Sequence, residues 1–391
     1  MKPLQHLTIL DLSRVLACPF AGMILAELGA TVIKVEQPGA GDETRGFEPQ
    51  LARDSAYYFA CNRSKASLTV NLRSVEGQDI IRELAQKVDV LVENFPAGTL
   101  GRYGLDFSML STLNPKLVYV SCTGFGQSGP YAHKKGYDTV FQAMGGLMSL
   151  TGEKGGGPVK PGLPVADLTS GLWVAIGILA MLSGREQTGR GAHLDFSMLD
   201  GQVSLLTLAA ARYFALGEVP PRLGTEHPGR VPSATFRCKD GKFAHITASD
   251  QHWEPLCRAL DLNFDLDLST NELRVQHRET VMQGLKEKIS HIARAKLLQM
   301  LDEADVPIGS VNDVAEILSD PHVRARGLIG SFDYPGVGEF KALALPYKFL
   351  GWDNPEIGPP PALGEDTDKI LAERLGYSKE KIARLRTAKA I

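Results

Sequence analysis

The chain has 391 residues, of which 43% are apolar and 22% are charged, and its formal net charge is -3. This length allows two or three domains, and the composition is that of a folded protein with a large core. Because no strongly basic domain is present, the sequence predicts no nucleic-acid partner.

The N-terminus and the cysteines indicate a cytoplasmic protein. Residues 1–6 show neither the apolar core of a signal peptide nor an Arg- and Ser-rich transit pattern. The longest apolar stretch, Gly171 to Leu182, is too short to cross a bilayer and predicts a buried helix instead. The five scattered cysteines form no C-x-x-C pair, which indicates buried free thiols. We expect neither a metal site nor a membrane partner.

The first third of the chain alternates short apolar strands with helices. Strands are predicted at Leu7–Leu12, Thr31–Glu36, Ser67–Leu72, Val88–Asn94 and Leu117–Ser121, and helices at Pro19–Gly29 and Val75–Lys87. This alternation predicts an α/β fold with a mostly parallel sheet that is covered by helices on both faces.

The pattern becomes largely helical after Asp138. Helices are predicted at Thr139–Leu150, Leu168–Arg185 and Met198–Leu216, with a strand at Ala192–Phe196. A hairpin at Phe236–Thr247 and helices from Trp253 to Leu318 indicate a smaller α+β domain. After Pro321 the chain is rich in Pro and Gly, and from Lys369 onward it predicts one or two surface helices.

These changes predict a division of the chain into domains and linkers. Residues 1–200 form the large domain, 201–224 a linker and 225–320 the small domain. Residues 321–391 form a second linker and a C-terminal segment, in which 330–391 return to the large domain.

Gly124-Phe-Gly-Gln-Ser-Gly129 matches the G-x-G-x-x-G pattern of dinucleotide sites. Such a site needs a helix that opens at the third glycine and an acidic residue about 20 residues later, and neither is indicated here. We therefore interpret the segment as a flexible loop that faces a substrate. The sequence contains neither a phosphate-binding P-loop motif nor the G-x-S-x-G elbow of serine hydrolases.

Asp167 directly precedes a predicted apolar helix, and this position has two interpretations. Aspartate is a favoured N-cap, because its carboxylate accepts hydrogen bonds from the first-turn amides. The positive end of the helix dipole would also keep the carboxylate ionised, as a carboxylate nucleophile requires. Tyr137 similarly allows either packing or a substrate contact. Singly, four basic residues are typical of solvated charges: Arg45, Arg73, Arg102 and Lys135.

Several segments, in order, resemble the class III CoA-transferases of the formyl-CoA transferase/CaiB-BaiF type. They include Asp11-Leu-Ser-Arg-Val-Leu-Ala, Gly41-Asp-Glu-Thr-Arg-Gly46, Val92-Glu-Asn-Phe-Pro-Ala-Gly98, Gly136-Tyr-Asp and the Ala166-Asp167 pair. The resemblance covers nearly the whole chain.

The resemblance implies a Rossmann-like large domain, a small α+β domain, and two subunits that interlock as a homodimer. It implies that Asp167 is the nucleophile, which forms a mixed anhydride and then an aspartyl-CoA thioester. Coenzyme A and acyl-CoA are then substrates, and no cofactor is bound permanently.

Single positions take roles from the same resemblance. Residues near coenzyme A are Arg14, Arg73, Asn94, Phe95, Arg102, Lys135 and Tyr137. Basic groups among them suit phosphate contacts. Tyr137 lies beside the nucleophile, and Tyr58 is a candidate to face the carboxylate substrate.

Two departures from the formyl-CoA branch concern the acceptor. Leu16 stands where that branch has glutamine, and Gly224–Ser233 stands where it has a long glycine run. The Gly-x-x-His-Pro pattern resembles members that use dicarboxylates of the succinate and glutarate kind. His227 and Arg230 are then candidates near the acceptor, with a turn-stabilising pair as the alternative.

Two other functions stay open. The resemblance extends to α-methylacyl-CoA racemases, which have histidine at the place of Tyr137. A neutral tyrosine, with an ordinary pKa near 10, is a poor acid-base partner for that reaction. The chain would alternatively be a non-catalytic CoA-binding subunit, and the presence of Asp167 argues against this.

Overall fold

The computed structural model describes residues 1–391, which divide into two compact units. The first unit comprises Met1–Leu147, Lys160–Ala211 and His322–Ile391. The second comprises Met148–Val159 and Arg212–Pro321. The C-terminal residues therefore fold in the same unit as the N-terminal ones.

The strands and helices are numbered in chain order. Strands β1 to β13 are Thr8–Asp11, Thr31–Glu36, Gln50–Leu51, Asp54–Ser55, Ala66–Thr69, Val90–Glu93, Val118–Thr123, His193–Ser197, Ser233–Arg237, Phe243–Thr247, Ile308–Ser310, Ile329–Tyr334 and Gly338–Leu343. Helices α1 to α17 are Ala17–Glu27, Ala56–Asn62, Val75–Ala85, Phe107–Leu113, Asp138–Met144, Leu147–Leu150, Val165–Thr188, Met198–Ser204, Thr207–Leu216, Asp250–Ala259, Asn271–Gln276, Arg278–Ser290, Arg294–Glu303, Val314–Ser319, Pro321–Ala325, Thr367–Leu375 and Lys379–Thr387.

The first unit is built on a six-stranded parallel sheet in the order β5-β2-β1-β6-β7-β8. The predicted α/β class and its parallel sheet are therefore confirmed. Successive side chains of a strand point to opposite faces, so Ile9 and Leu10 of β1 lie in two different core clusters. Both are fully buried, which explains why β1 carries two adjacent apolar residues rather than an alternating pattern.

Helices close both faces of the sheet. Residues of α3, α4, α16 and α17 share one cluster, and residues of α1 and α7 share the other. The two predicted C-terminal surface helices are α16 and α17. Leu371 and Ile382 bury their apolar sides in the first cluster, so these helices contribute to the core as well as to the surface.

Helix α7 is longer than the sequence predicts. It runs for 24 residues from Val165, and by length and composition it would suffice to cross a membrane. Its buried face packs against α1, and a Cβ atom at Gly171 would lie 2.6 Å from the carbonyl oxygen of Ala17. Glycine is therefore required for the close approach of the two helices. The predicted start at Leu168 was wrong, because the apolar pattern begins one turn after the backbone becomes helical.

Other differences from the prediction arise at breaks and in the Pro/Gly-rich segment. The predicted helix Thr139–Leu150 divides into α5 and α6 at Gly145-Gly146, and Met198–Leu216 divides into α8 and α9. Strands β12 and β13 form an unpredicted antiparallel hairpin. Phe332 and Tyr334 of this hairpin pack against Phe59, a distant contact that has no local sequence signal.

The second unit contains a three-stranded antiparallel sheet in the order β11-β10-β9. Strands β9 and β10 form the predicted hairpin. The fully buried Arg274 lies 5.1 Å from the ring of Trp253 and donates to the carbonyl oxygens of Val231 and Leu268. These bonds compensate for the loss of water around a buried charge.

Candidate active site

Asp167 lies in the first turn of α7, as the third residue of the helix. The N-cap position belongs to Pro164, whose side chain makes no capping hydrogen bond. The interpretation of Asp167 as the N-cap was therefore wrong. Its side chain is only partly buried, and it projects from the end of the helix where amide groups concentrate positive potential.

Asp138 supplies the hydrogen-bond acceptor for this end of α7. Its Oδ1 accepts from the amide of Ala166 at 2.8 Å and from the amide of Asp167 at 3.2 Å. Its Oδ2 accepts from Gln142 Nε2 at 2.5 Å. Sequence reasoning missed this residue. The sequence shows only that Asp138 stands at the start of an apolar helix, α5. In the structure, its side chain caps a different helix, α7.

Burial raises the pKa of Asp167 to about 7, and the negative charge of Asp138 adds to the increase. Loss of water disfavours the ionised form, and a neighbouring carboxylate does the same. Burial and the Asp138 charge therefore act against the helix dipole, which we expected to keep Asp167 ionised.

Tyr137 precedes Asp138 and is 82% exposed. It occupies the N-cap position of α5, where its side chain makes no capping hydrogen bond. Because Asp138 bonds the amide of Asp167, Tyr137 and Asp167 belong to the same region of the first unit. Lys135, two residues earlier, is exposed on the loop that leads to α5.

Three of the predicted basic residues line one cavity of about 320 Å³ in the first unit. Arg14, Arg73 and Arg102 all contribute to it, together with Phe95. Each of these arginines is exposed, so its guanidinium is available to a ligand. Guanidinium groups bind phosphate oxygens through paired hydrogen bonds. The arrangement suits a polyanionic ligand that also has an apolar part.

The loop that carries Arg14 is held on several sides. Asn94 Oδ1 accepts from the Arg14 amide at 2.9 Å, and Asn94 Nδ2 donates to the Arg14 carbonyl at 2.8 Å. Val15 has a φ of +70°, a left-handed conformation that β-branched residues seldom adopt. Its amide donates to the Asp42 carboxylate at 3.3 Å. The surrounding contacts therefore impose a strained and defined loop.

A buried ion pair contacts the loop that carries Arg14. Lys34 Nζ lies 2.8 Å from Asp42 Oδ2 and donates to the carbonyl of Ser13 at 3.0 Å. The side chains of Lys34 and Asp42 are both fully buried. Burial opposes ionisation of Asp42, but the Lys34 ammonium outweighs it and holds the pKa of Asp42 below its usual value.

Tyr58 and Arg45 belong to a second buried network. Tyr58 is fully buried and lies under the Arg45 guanidinium, 3.7 Å from ring centroid to Cζ. Arg45 also pairs with Glu36 at 2.8 Å and with Asp54 at 2.6 Å. The prediction that Tyr58 faces a substrate was therefore wrong, and so was the interpretation of Arg45 as a solvated charge. Both corrections follow from tertiary contacts that only the folded chain creates.

The two positions related to the acceptor have different environments. Leu16 is buried, with 6% exposure, at the N-cap of α1, so its predicted substrate contact finds no support from exposure. His227 and Arg230 lie on an exposed segment of the second unit. His227 Nδ1 accepts from the amide of Gly229 at 3.1 Å. This bond favours the turn-stabilising alternative for His227.

The loop Gly124–Gly129 follows β7 and is not followed by a helix until α5 begins at Asp138. A Cβ atom at Gly124 would lie 2.5 Å from the ring of Phe141. Glycine at this position is therefore explained by packing against α5. The structure agrees with the interpretation that this motif does not form a dinucleotide site.

Comparisons with known proteins show which family, sequences and solved structures this chain resembles. The family model described as CoA-transferase family III matches residues 4–367. The chain is 39% identical to the succinyl-CoA:glutarate CoA-transferase of Mus musculus, over 98% of this chain and 89% of the relative. It is 37% identical to the succinate–glutarate CoA-transferase of Agrobacterium fabrum, over 95% of each. A crystal structure of a CAIB/BAIF family protein from Brucella suis aligns with a TM-score of 0.86 and 38% identity, over 95% of this chain and 99% of that one.

Proposed function

The chain belongs to CoA-transferase family III, and from this membership we propose that it moves coenzyme A between carboxylic acids through covalent intermediates on Asp167. The observation that carries the assignment of Asp167 is its partly buried carboxyl at the start of α7. Its raised pKa near 7 is typical of groups that react. The enzyme is a transferase, so the proposal concerns its mechanism and its substrates.

The proposed reaction conserves one thioester from start to finish. The Asp167 carboxylate attacks the donor thioester carbonyl, the C–S bond breaks, and a mixed anhydride and the CoA thiolate form. The thiolate attacks the aspartyl carbonyl, which releases the donor acid and leaves an aspartyl-CoA thioester. An acceptor carboxylate then attacks this thioester and releases the thiolate again. The thiolate finally attacks the acceptor carbonyl, which regenerates Asp167 without any nucleotide.

The dipole of α7 supports the charged intermediates. The tetrahedral species carry negative charge on an oxygen, and the positive end of a helix dipole stabilises such charge. The amides of Val165 and Leu168 already donate to the carbonyls of Leu163 and Pro164. Asp138 occupies the amides of Ala166 and Asp167. It therefore fixes the first turn of the helix and so the position from which Asp167 attacks.

Dicarboxylates are the proposed substrates. The two relatives described above act, by their names, on succinate or succinyl-CoA and on glutarate, and they span nearly the whole chain. We propose succinyl-CoA or a similar acyl-CoA as donor and a C4–C6 dicarboxylate as acceptor. His227 and Arg230 are retained as candidate contacts to the acceptor, with Arg230 offering a cation for the distal carboxylate.

We propose that the cavity lined by Arg14, Arg73 and Arg102 binds the phosphate-bearing end of coenzyme A. All three side chains keep their charge at neutral pH, and Phe95 adds an aromatic face to the same cavity. Lys135 is exposed outside the residues that line this cavity. It is therefore a candidate for a more distant contact to the same molecule.

We propose that two chains form the interlocked homodimer and that the protein is cytoplasmic. Helices α7 to α9 expose large apolar side chains: Leu172, Trp173, Ile176, Leu208 and Phe214 are between 42% and 84% exposed. Apolar surface on this scale indicates an interface. Because α7 buries its opposite face against α1, a second copy of the chain is favoured over lipid. Light scattering should give twice the mass of one chain.

Mass spectrometry tests the covalent mechanism. The protein is mixed with succinyl-CoA, and the peptide that contains Asp167 is examined for a CoA thioester. We expect the adduct on the wild type and none on Asp167→Ala, and glutarate should discharge it with formation of glutaryl-CoA. Binding of CoA without any adduct would favour the non-catalytic subunit. Exchange of an α-proton with deuterated water, again without an adduct, would favour the racemase.

The rate of adduct formation should depend on pH because only ionised Asp167 attacks. Its pKa near 7 lies above the ordinary value of 3.8, so kcat/KM for succinyl-CoA should rise as pH increases from 5.5 and level off above about 8. Asp138→Asn removes the like charge but keeps an acceptor oxygen for the amides. We expect its midpoint to move to lower pH, by on the order of 1 unit.

The control for this pH profile is Asp302→Asn, since Asp302 is exposed on α13 of the second unit and is bonded to neither Asp138 nor Asp167. Its midpoint should equal that of the wild type. An unchanged midpoint in Asp138→Asn would show that Asp138 does not control the ionisation of Asp167. A profile that falls with increasing pH would contradict the carboxylate as the attacking group.

A further inference from the structure

A row of polar side chains crosses the three neighbouring strands β6, β7 and β8. Glu93 ends β6 and lies beside Ser121 of β7 in the strand register. Ser121 Oγ lies 3.0 Å from Nε2 of His193, the first residue of β8. Glu93 is 5% exposed and Ser121 is 2% exposed. The proposed mechanism uses none of these three residues, although buried polar groups carry a cost unless their bonds are satisfied.

The Glu93 carboxyl connects the sheet to the loop that follows β6. Its Oε2 accepts from the amide of Phe95 at 2.8 Å, and the carboxyl also forms a hydrogen bond with the Ser121 side chain. Burial raises the pKa of Glu93 to about 7, and Asp195 adds to the increase. Hydrogen bonds from the Ser121 side chain and the Phe95 amide oppose this increase, because both favour the ionised carboxylate.

His193 anchors the other end of this row. Its ring stacks on Phe107, with centroids 5.2 Å apart and planes at 25°, and meets the edge of Tyr119 at 5.3 Å. His193 is an exposed residue of the edge strand β8, and the partial loss of water around its ring lowers its pKa, which favours the neutral ring that Ser121 contacts. The row is therefore fixed at its far end by packing, so it can hold Glu93 in one position.

The two residues after Glu93 hold Arg14. Asn94 bonds both the amide and the carbonyl of Arg14, and the Phe95 ring lies 4.7 Å below the Arg14 guanidinium. Glu93 fixes the backbone between these two contacts through the Phe95 amide. A displacement of Glu93 would therefore reach the Arg14 guanidinium, which is distant along the chain, through two direct contacts.

A second cavity makes this loop sensitive to displacement. It has a volume of about 310 Å³, it is lined by Glu93, Ser121 and His193, and it shares Pro96 and Thr99 with the arginine-lined cavity. The loop therefore has open space on two sides. Phe95 packs against the first core cluster, and the Glu93 bond to its amide adds a second constraint on the position that Arg14 requires.

We propose that Glu93 is a positioning residue for coenzyme A: joined through Ser121 to His193, it holds Asn94 and Phe95 so that Arg14 faces the ligand. This inference rests on the proposed use of the arginine-lined cavity for coenzyme A. Glu93 itself does not touch the reacting carbonyl or Asp167 in this arrangement. Its removal should therefore weaken binding and leave the chemical step nearly unchanged.

Titration calorimetry with coenzyme A tests the inference on the full-length wild type and on variants. We expect Glu93→Ala to raise the Kd about 10-fold, since one ordering hydrogen bond is lost. The rate of adduct formation at saturating succinyl-CoA should stay within about 2-fold of the wild type. Glu93→Gln keeps an acceptor for Phe95 and a donor for Ser121. It should restore the Kd to within about 3-fold of the wild type.

Two further variants separate positioning from general damage. Asp89→Ala removes a partly buried carboxylate just before β6, at the opposite end of that strand from Glu93. Asp89 bonds the Thr8 amide and Arg185. It should lower the melting temperature without changing the Kd. If Glu93 acts through Arg14, then Glu93→Ala combined with Arg14→Ala should weaken binding no more than Arg14→Ala alone.

The possible results have distinct meanings. The inference would be overturned if Glu93→Ala bound coenzyme A with an unchanged Kd, or if Glu93→Gln bound it as weakly as Glu93→Ala. Adduct formation by the wild type would still uphold the transferase mechanism. If Glu93→Ala does not fold, Ser121→Ala replaces it, and a Kd unchanged from the wild type would again overturn the inference. A wild type that neither binds coenzyme A nor forms the adduct would overturn the proposed function and this inference together.

Discussion

Asp167→Ala should lower kcat for the transfer of CoA from succinyl-CoA to glutarate by about 10⁴-fold or more. The proposed reaction forms both the mixed anhydride and the thioester on this carboxylate, and the neighbouring Asp138 carboxylate is already bonded to the amides of Ala166 and Asp167 and to Gln142. Coenzyme A should still bind, because the arginine-lined cavity is unaffected. The measurement is steady-state production of glutaryl-CoA by chromatography, with the Kd for coenzyme A determined in parallel.

The matched control is Asp200→Ala. Asp200 is the third residue of α8, as Asp167 is of α7, and it is exposed. We expect kcat within about 2-fold of the wild type, as for an exposed side chain away from the reaction. A residual activity of Asp167→Ala above about 1% would contradict the nucleophile assignment.

The stability of Asp167→Ala shows whether this variant loses activity because it lacks the carboxylate or because it unfolds. The pKa of Asp167 is raised in the folded chain, so folding favours its protonated form. Its contribution to stability is present at pH below 3.8 and is lost as pH rises through about 7. Replacing it with alanine removes this penalty, so Asp167→Ala should be at least as stable as the wild type at pH 8. Thermal unfolding followed by circular dichroism measures this directly.

Arg45→Ala should destabilise the first unit by about 3–5 kcal/mol, the usual consequence of leaving buried charges without a partner. Arg45 is 7% exposed and joins Glu36, Asp54 and the Tyr58 hydroxyl, so its removal leaves two buried carboxylates without their salt-bridge partner. We expect the melting temperature to fall by roughly 5–15 °C, measured by calorimetry at pH 7.5.

The matched control for Arg45 is an exposed ion pair. Arg258 pairs with Glu254 one turn away on α10, and the two side chains are 74% and 81% exposed. Arg258→Ala should cost less than about 1 kcal/mol. Arg45→Lys keeps the charge but not the fork of donors that reaches both carboxylates, so an intermediate loss is expected. Equal melting temperatures for the two alanine variants would contradict the burial argument.

The effect of Arg45→Ala should also depend on pH. In the wild type, burial opposes ionisation of Glu36, but Arg45 and Lys34 outweigh it and lower the pKa of Glu36. The stability from this group is therefore present above pH 4.5 and is lost as pH falls through the lowered pKa. Without Arg45, protonation relieves the unpaired carboxylate. The difference between variant and wild type should therefore be smaller at pH 4.5 than at pH 7.5.

Local patterns were sufficient for much of the fold. The five strands predicted in the first third all occur, because each is an apolar run with turn residues at its ends. The strand at His193–Ser197 and the hairpin around Gly241 were also found from short-range signals. These features depend on neighbours within a few residues, which the sequence shows directly. Resemblance to a family predicted Asp167 as the nucleophile, because motifs in register carry more information than one residue.

Only the tertiary structure decided how distant residues meet. Arg45 contacts Glu36 and Asp54 nearby in sequence but also the carbonyl of Pro361. Such contacts have no period in the sequence, so a solvated Arg45 and a substrate-facing Tyr58 were reasonable but wrong predictions. Asp138 likewise starts its own helix, and its second role arises because α5 packs beside α7.

The sequence by itself determined the strands of the first third, the parallel α/β class and the family, because these follow from local periodicity and from motifs in register. The tertiary structure decided which charges are buried, which carboxyls have a raised pKa, and which arginines share a cavity. The physical reason is that burial and electrostatic interaction depend on distances between side chains from different elements. Those distances exist only after the chain has folded.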